Sequence, residues 1–215
     1  RLQPGMSQLD LCCGKAEMLC QWSKRWGIQG IGVDISSVFL EAARRRAHEF
    51  NVEDRISLVE GDAAAYDAGD QRFDIVSCIG ATWIGSGLVG TLKMMQKSLK
   101  PDGLCLVGEP YWRMPVPDAV NVSSEVDRDD FSSLIGTLDR IESAGFTLVE
   151  MVLANEDTWD RYMASQWLTV DDWLRENPTD PDARELSAWN DRNRRVYLES
   201  ERAYLGWGVF VLRAK

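Results

Sequence analysis

Apolar positions along the chain switch between two periods, and the switching predicts strands that alternate with helices. The stretch from Gln8 to Glu17 reads as a short apolar strand, a tight turn and the start of a helix that continues to Trp26. Ile31 to Asp34 gives a second strand, Ser37 to Phe50 an amphipathic helix, and Arg55 to Glu60 a strand of alternating character. Phe73 to Ile79 is almost uniformly apolar, as expected at the centre of a parallel sheet that is covered on both faces. Leu88 to Leu99 returns to helical spacing and stops at Lys100-Pro101-Asp102-Gly103. There Pro sets φ and Gly relaxes it, ahead of a strand over Leu104 to Val107.

Met114 to Asp130 contains Pro115 and Pro117 and little periodicity, which predicts a loop. Phe131, Leu134, Ile135, Leu138 and Ile141 then repeat at helical spacing, Gly145 closes that helix, and a strand follows from Thr147 to Leu153. About fifty residues separate Ala154 from Leu205, and five of the nine tryptophans fall after residue 158. Trp159, Tyr162, Met163, Trp167, Val170 and Trp173 recur at helical intervals. A second helix begins after Asp180-Pro181 with Leu186, Trp189, Val196 and Tyr197 on one face, and Gly206 to Leu212 forms a closing strand. The expected architecture is α/β: a Rossmann-like, seven-stranded, mostly parallel sheet with an antiparallel last strand, helices on both faces, and a helical insertion between strands six and seven.

A chain of 215 residues, 45% of them hydrophobic, can bury one sizeable core, so residues 1–215 are expected to form a single domain with the insertion at about 156–204. The formal net charge of −10 argues against a nucleic acid as partner. Five cysteines without a CxxC pair read as reduced thiols packed as small hydrophobes, and the single histidine, His48, leaves little for a zinc site or a Ser-His-acid triad. No metal is expected. Neither a membrane span nor a secretory signal is visible, which predicts a cytoplasmic protein, monomer or homodimer. The chain starts at Arg1 and enters its first strand within about seven residues, so an N-terminal segment is expected to be missing.

Asp10, Cys12, Gly14 and Ala16 stand at every second position of the opening turn, and only Gly14 can take a positive φ at no steric cost. Asp34 ends the second strand twenty residues beyond Gly14, the spacing at which a carboxylate reaches ribose hydroxyls; its other role would be a cap for the next helix, where Ser36 or Ser37 serves as well. These features, with LKPDG before a strand, resemble the class I S-adenosylmethionine-dependent methyltransferases. The resemblance implies S-adenosyl-L-methionine as cofactor. It places Asp10, Cys12 and Gly14 around the amino-acid end, Asp34 and Ile35 at the ribose, Asp62 and Ala63 at the adenine, and Cys78 and Trp83 along the fourth strand's exit. Asp62 has the alternative of a solvated turn residue, and Trp83 could equally be a core side chain.

A methyl sulfonium is an activated donor, so positioning supplies much of the rate and a histidine base is dispensable. Glu109, Tyr111 and Tyr162 are the candidate catalytic residues, with Asp160 a further candidate base. Trp83, Trp112, Arg113, Trp159 and Arg161 are the candidate acceptor-binding residues, which suit a small, partly aromatic or apolar molecule with an anionic group for an arginine. For Trp167 and Trp173, packing is the better reading. Two other classes compete: a protein that keeps the fold and binds cofactor without catalysis, as Cys12 and Ala16 in place of glycine allow, and a nicotinamide enzyme. Against the latter stand the closing strand and Glu17, a carboxylate where a pyrophosphate would sit. Thiol-dependent methylation through Cys12, Cys13 or Cys78 lacks a paired-cysteine spacing.

Overall fold

The computed structural model describes residues 1–117 and 131–215; most of the loop expected at 114–130 lies outside the described residues. The strands are β1 (Ser7–Leu11), β2 (Gln29–Asp34), β3 (Ile56–Glu60), β4 (Phe73–Ile79), β5 (Leu99–Trp112), β6 (Phe146–Leu153) and β7 (Leu205–Ala214). They form one seven-stranded sheet in the order β3-β2-β1-β4-β5-β7-β6. The pairs β1–β2, β2–β3, β1–β4 and β4–β5 are parallel, and β7 enters antiparallel beside β5. This is the Rossmann-like order expected from the sequence, with the switch point between β1 and β4, where open α/β sheets place a ligand beyond their carboxyl ends.

The helices are α1 (Glu17–Trp26), α2 (Ser37–Phe50), α3 (Leu88–Gln96), α4 (Leu134–Ser143), α5 (Glu156–Glu176) and α6 (Ala183–Val196). Small residues let α1 and α2 close on each other: Ala16, Leu19 and Cys20 pack with Ala43, Ala47 and Val52 in one buried cluster. The α1 helix stops at Gly27, whose positive φ of 70° lets its N–H return to the Ser23 carbonyl. Ser36 caps α2, its hydroxyl accepting from the Phe39 N–H.

One element departs from expectation. Lys100-Pro101-Asp102-Gly103 is not a turn ahead of a short strand but an irregularity within the fourteen residues of β5. Phe73 faces Leu99 and Ile75 faces Leu104, so two steps on β4 span five on β5. The ladder tolerates the excess because Lys100 Nζ bonds Asp74 Oδ2 at 2.8 Å across it.

By contacts the chain divides into two compact units. The first holds Arg1–Glu109, Leu138–Val152 and Val209–Lys215, and so most of the sheet with α1, α2 and α3. The second holds Pro110–Thr137 and Leu153–Gly208, including α5 and α6. Within the second, Asn155 caps α5, accepting from the Thr158 N–H at 2.8 Å. Tyr197, 1% exposed, begins a π turn after α6 and meets Trp167 edge-on at 5.6 Å. Among the described residues no helix is long and apolar enough to cross a membrane.

Candidate active site

The opening turn of the first unit repeats one backbone conformation at alternate residues. Cys12, Gly14 and Ala16 have φ of 55°, 55° and 50°. Expectation gave that conformation freely to Gly14 alone, and the two side-chain-bearing residues adopt it at a steric cost of about 1 to 2 kcal/mol each. Three hydrogen bonds hold them there. Cys13 N–H donates to the Val33 carbonyl at 3.0 Å, Ala16 N–H to the Cys13 carbonyl at 2.9 Å, and Gly14 N–H to Asp34 Oδ2 at 2.8 Å.

Asp34 is thereby tied to the turn rather than to a helix end. Its other oxygen, Oδ1, accepts from the Ser36 N–H at 2.9 Å, while Ser36 itself provides the cap. Each carboxylate oxygen keeps a lone pair for a hydroxyl donor. Next to Asp34 lies Asp10, 4% exposed, which accepts from the Ser77 hydroxyl at 2.6 Å; Ser77 in turn accepts from Gln8 Nε2 at 2.9 Å. Burial pushes the Asp10 carboxyl up to about 7, the Ser77 bond opposing and the Asp34 charge adding to the rise.

Beyond β1, β2 and β4 lies a hollow of about 590 Å³, within the range of small-molecule sites. Seven of the nine expected cofactor residues line it: Cys12, Gly14, Asp34, Ile35, Asp62, Ala63 and Trp83. The other two, Asp10 and Cys78, are buried and do not line it. Asp62 is exposed and its Oδ1 accepts from the Ala64 N–H, a turn geometry that leaves its second oxygen open. Sequence reasoning missed Phe39, which also lines the hollow; the signal was the apolar pair Val38-Phe39 standing off the buried stripe of Leu40, Ala43 and Ala47.

Trp83 is 72% exposed on a 3-10 turn, Thr82–Gly85, so it is a wall and not a core side chain. That turn is bound from below. The Thr82 hydroxyl donates to Glu109, and the Thr91 hydroxyl donates to the Thr82 carbonyl while accepting from the Gly85 N–H. Glu109 is 3% exposed; burial pushes its carboxyl up to about 7, while Thr82 and the Arg140 charge act the other way.

The remaining candidates belong to the second unit. Tyr111 is buried with its ring against Gly206, where an added Cβ would come within 2.3 Å of it. Trp112 meets Phe131 edge-on at 5.9 Å. Trp159 is stacked between Tyr162, at 5.0 Å, and Trp207, at 5.7 Å. Arg113 Nη1 reaches Glu156 at 3.3 Å, and Arg161 is exposed. Asp160 is committed elsewhere: Arg202 grips both its oxygens and the Tyr197 hydroxyl donates to it at 2.6 Å, which together hold its carboxyl below the usual range. That removes the candidate base read from its position alone.

The hollow suits a cation better than a phosphate. Among the described residues its lining includes Asp34 and Asp62 but no Lys or Arg, and Asp10 lies behind it. Glu17, expected to repel pyrophosphate, is instead paired with Arg46 at 2.6 Å, so repulsion of a phosphate falls to Asp34 and Asp62. A nucleoside with two ribose hydroxyls and a positively charged tail fits this set of donors and acceptors.

Similarity to known proteins agrees with the geometry. A family model described as a methyltransferase domain matches residues 9–103. A SAM-dependent methyltransferase from Geobacter sulfurreducens, solved in complex with S-adenosyl-L-homocysteine, is 42% identical over 100% of this chain and 87% of that chain, with a TM-score of 0.90. Another from Thiobacillus denitrificans, with the same ligand, is also 42% identical with the same coverage and a TM-score of 0.93. Demethylmenaquinone methyltransferase of Staphylococcus saprophyticus is 36% identical over 111 residues, 48% of this chain and 44% of that protein. With a hollow of the right size and charge at the switch point, and relatives of this identity over its whole length, the chain belongs to the S-adenosylmethionine-dependent methyltransferases.

Proposed function

We propose that the protein methylates a small, planar, partly aromatic or apolar acceptor, and that Asp34 and Asp62 grip the adenosine of its cofactor. When bound, S-adenosylmethionine supplies a methyl group already activated on a sulfonium. The observation that carries the reading is that Cys12, Gly14, Asp34, Ile35, Asp62, Ala63 and Trp83, drawn from four separate stretches, line one anionic hollow. Asp34 is presented with both oxygens oriented by backbone N–H groups, so it meets ribose hydroxyls without reorganising. Trp83 offers an exposed indole face to a cation.

The acceptor class rests on the second unit. Its stack of Tyr162, Trp159 and Trp207 offers flat apolar surface, and the Arg113 Nε and Trp159 Nε1 hydrogens are buried without a partner among the described residues. Two unmatched donors favour an acceptor that carries oxygen atoms. A ring bearing hydroxyl or carbonyl oxygens, as the name of the Staphylococcus relative also indicates for that protein, combines both properties. We assign Glu109, Tyr111 and Tyr162 to proton removal and orientation of the acceptor, and Trp112, Arg113, Trp159 and Arg161 to its binding. The proposed setting is the cytoplasm, as monomer or homodimer, without nucleic acid, membrane or metal.

The test has two stages. S-adenosylhomocysteine should raise the melting temperature while NAD leaves it unchanged. Release of S-adenosylhomocysteine from S-adenosylmethionine is then followed over a panel of phenols, hydroquinones and aliphatic amines. Oxygen-bearing rings should turn over. With the best of them, Glu109→Gln or Tyr162→Phe should lower kcat by roughly 100-fold, the usual worth of a positioned proton acceptor. Turnover of the aliphatic amines alone, or variants with unchanged kcat, would show the acceptor site to be elsewhere.

A further inference from the structure

The cofactor hollow has one thiol in its wall and a second directly behind it. Cys12 lines the hollow and is partly exposed, whereas Cys78, on β4, is 0% exposed. The two strands pair in parallel with Leu11 opposite Cys78, so Cys12 follows one residue beyond that pair. A strand spacing of about 4.8 Å and a rise of about 3.3 Å per residue put the two Cα atoms roughly 6 Å apart, inside the range that a disulfide spans. The two sulfurs interact electrostatically, the Cys78 thiol favouring negative charge on Cys12.

The other cysteines lack these properties. Cys13 points its sulfur under Gly32, where an added Cβ would come within 2.8 Å of it, and Cys20 and Cys105 are both 0% exposed. Burial holds the thiols of Cys20 and Cys105 up at about 11 and about 12. At Cys12 the influence of the Cys78 thiol prevails over burial and over the charges of Asp34, Asp10 and Asp62, and favours the thiolate. The most reactive sulfur of the chain is therefore the one that faces the cofactor.

We propose that Cys12 and Cys78 are a redox modification site, forming a reversible disulfide that blocks cofactor binding when the protein meets a peroxide. The Cys12 thiolate attacks one peroxide oxygen, the O–O bond breaks, and hydroxide leaves, giving a sulfenic acid. The Cys78 sulfur then attacks the Cys12 sulfur, the S–O bond breaks, and water leaves with the Cys78 proton. Two thiols lose two electrons in all, and hydrogen peroxide is reduced to two waters. A dithiol reductant reverses the bond by exchange. The new bond draws Cys12 toward β4 and moves the adjoining Gly14 N–H, whose hydrogen bond holds Asp34 in place. Loss of affinity follows from that displacement.

The inference rests on the cofactor occupying this hollow, and the experiment separates the two. Wild-type protein is treated with hydrogen peroxide or with dithiothreitol, digested without reduction, and mapped by mass spectrometry; S-adenosylhomocysteine titration is run on each form. We expect a peptide pair joined through Cys12 and Cys78, at least a tenfold loss of affinity in the oxidised form, and full recovery with dithiothreitol. Cys78→Ser, or Cys78→Ala if serine does not fold, should give no linked peptide pair after peroxide, its own reduced form being the reference for affinity. Other cysteines linked, Cys12 oxidised without a partner, or equal affinity in both forms overturns the switch. Reduced protein that binds no S-adenosylhomocysteine instead overturns the site assignment, while the peptide map still decides whether the bond forms.

Discussion

Asp34 uses both carboxylate oxygens on backbone N–H groups twenty and two residues away, so its charge organises the cofactor turn before any ligand arrives. Asparagine at this position would present one oxygen and one NH₂ to two N–H donors. One buried donor would lose its partner, at a cost of about 1 to 3 kcal/mol. Asp34→Asn should therefore lower the urea midpoint as well as S-adenosylhomocysteine affinity; a variant of wild-type stability that loses only affinity would mean that Asp34 serves the ligand and not the turn. The acid and its spacing were legible in the sequence. The positive φ of Cys12 and Ala16 was not, because local sterics argue against it and the three hydrogen bonds that impose it come from Val33, Cys13 and Asp34, two of them on another strand.

The 3-10 turn that carries Trp83 shows the same division at the scale of elements. Its backbone rests on the start of α3 at a distance only glycine permits: a Cβ on Gly90 would lie 1.8 Å from the Gly85 carbonyl oxygen. Thr91 fastens the turn from one side and Glu109 from the other, through Thr82. Gly90→Ala should push the turn off α3, costing about 1 to 3 kcal/mol as overpacking does, and weaken cofactor binding through displacement of Trp83. Thermal melts and ligand titration would register both; unchanged values would show that the turn can shift without consequence. Hydrophobic periodicity placed β4, α2 and the helical insertion, since burial dictates both the spacing and the fold. It could not place this clamp, whose members lie 9 and 27 residues apart and are joined by single hydroxyls. For the same reason it read Lys100 to Gly103 as a free turn: the Asp74–Lys100 bridge that keeps them within β5 is a pairing between strands.

At the scale of the molecule, a chain of net charge −10 buries the carboxyl groups of Asp10 and Glu109, and their titration shapes how stability follows pH. Asp10 rises from 3.8 to about 7 and Glu109 from 4.5 to about 7, burial being the main cause of both. Each group keeps its proton in the folded state at a pH where the unfolded chain has released it. Stability from the protonated forms is therefore complete below the unfolded values, near pH 4, and is lost as pH rises through about 7, with a total on the order of a few kcal/mol. Between about pH 5 and about pH 8 the urea midpoint of the ligand-free protein should accordingly fall. Amides can replace both groups with little disturbance, since Asp10 accepts from Ser77 and Glu109 from Thr82, and an amide oxygen accepts as well. Asp10→Asn and Glu109→Gln should each flatten the slope and together abolish it, leaving a protein more stable than wild type at neutral pH. A slope that survives in the double variant would mean that the buried pair titrates like ordinary carboxylates and that other groups govern the acid side of the profile.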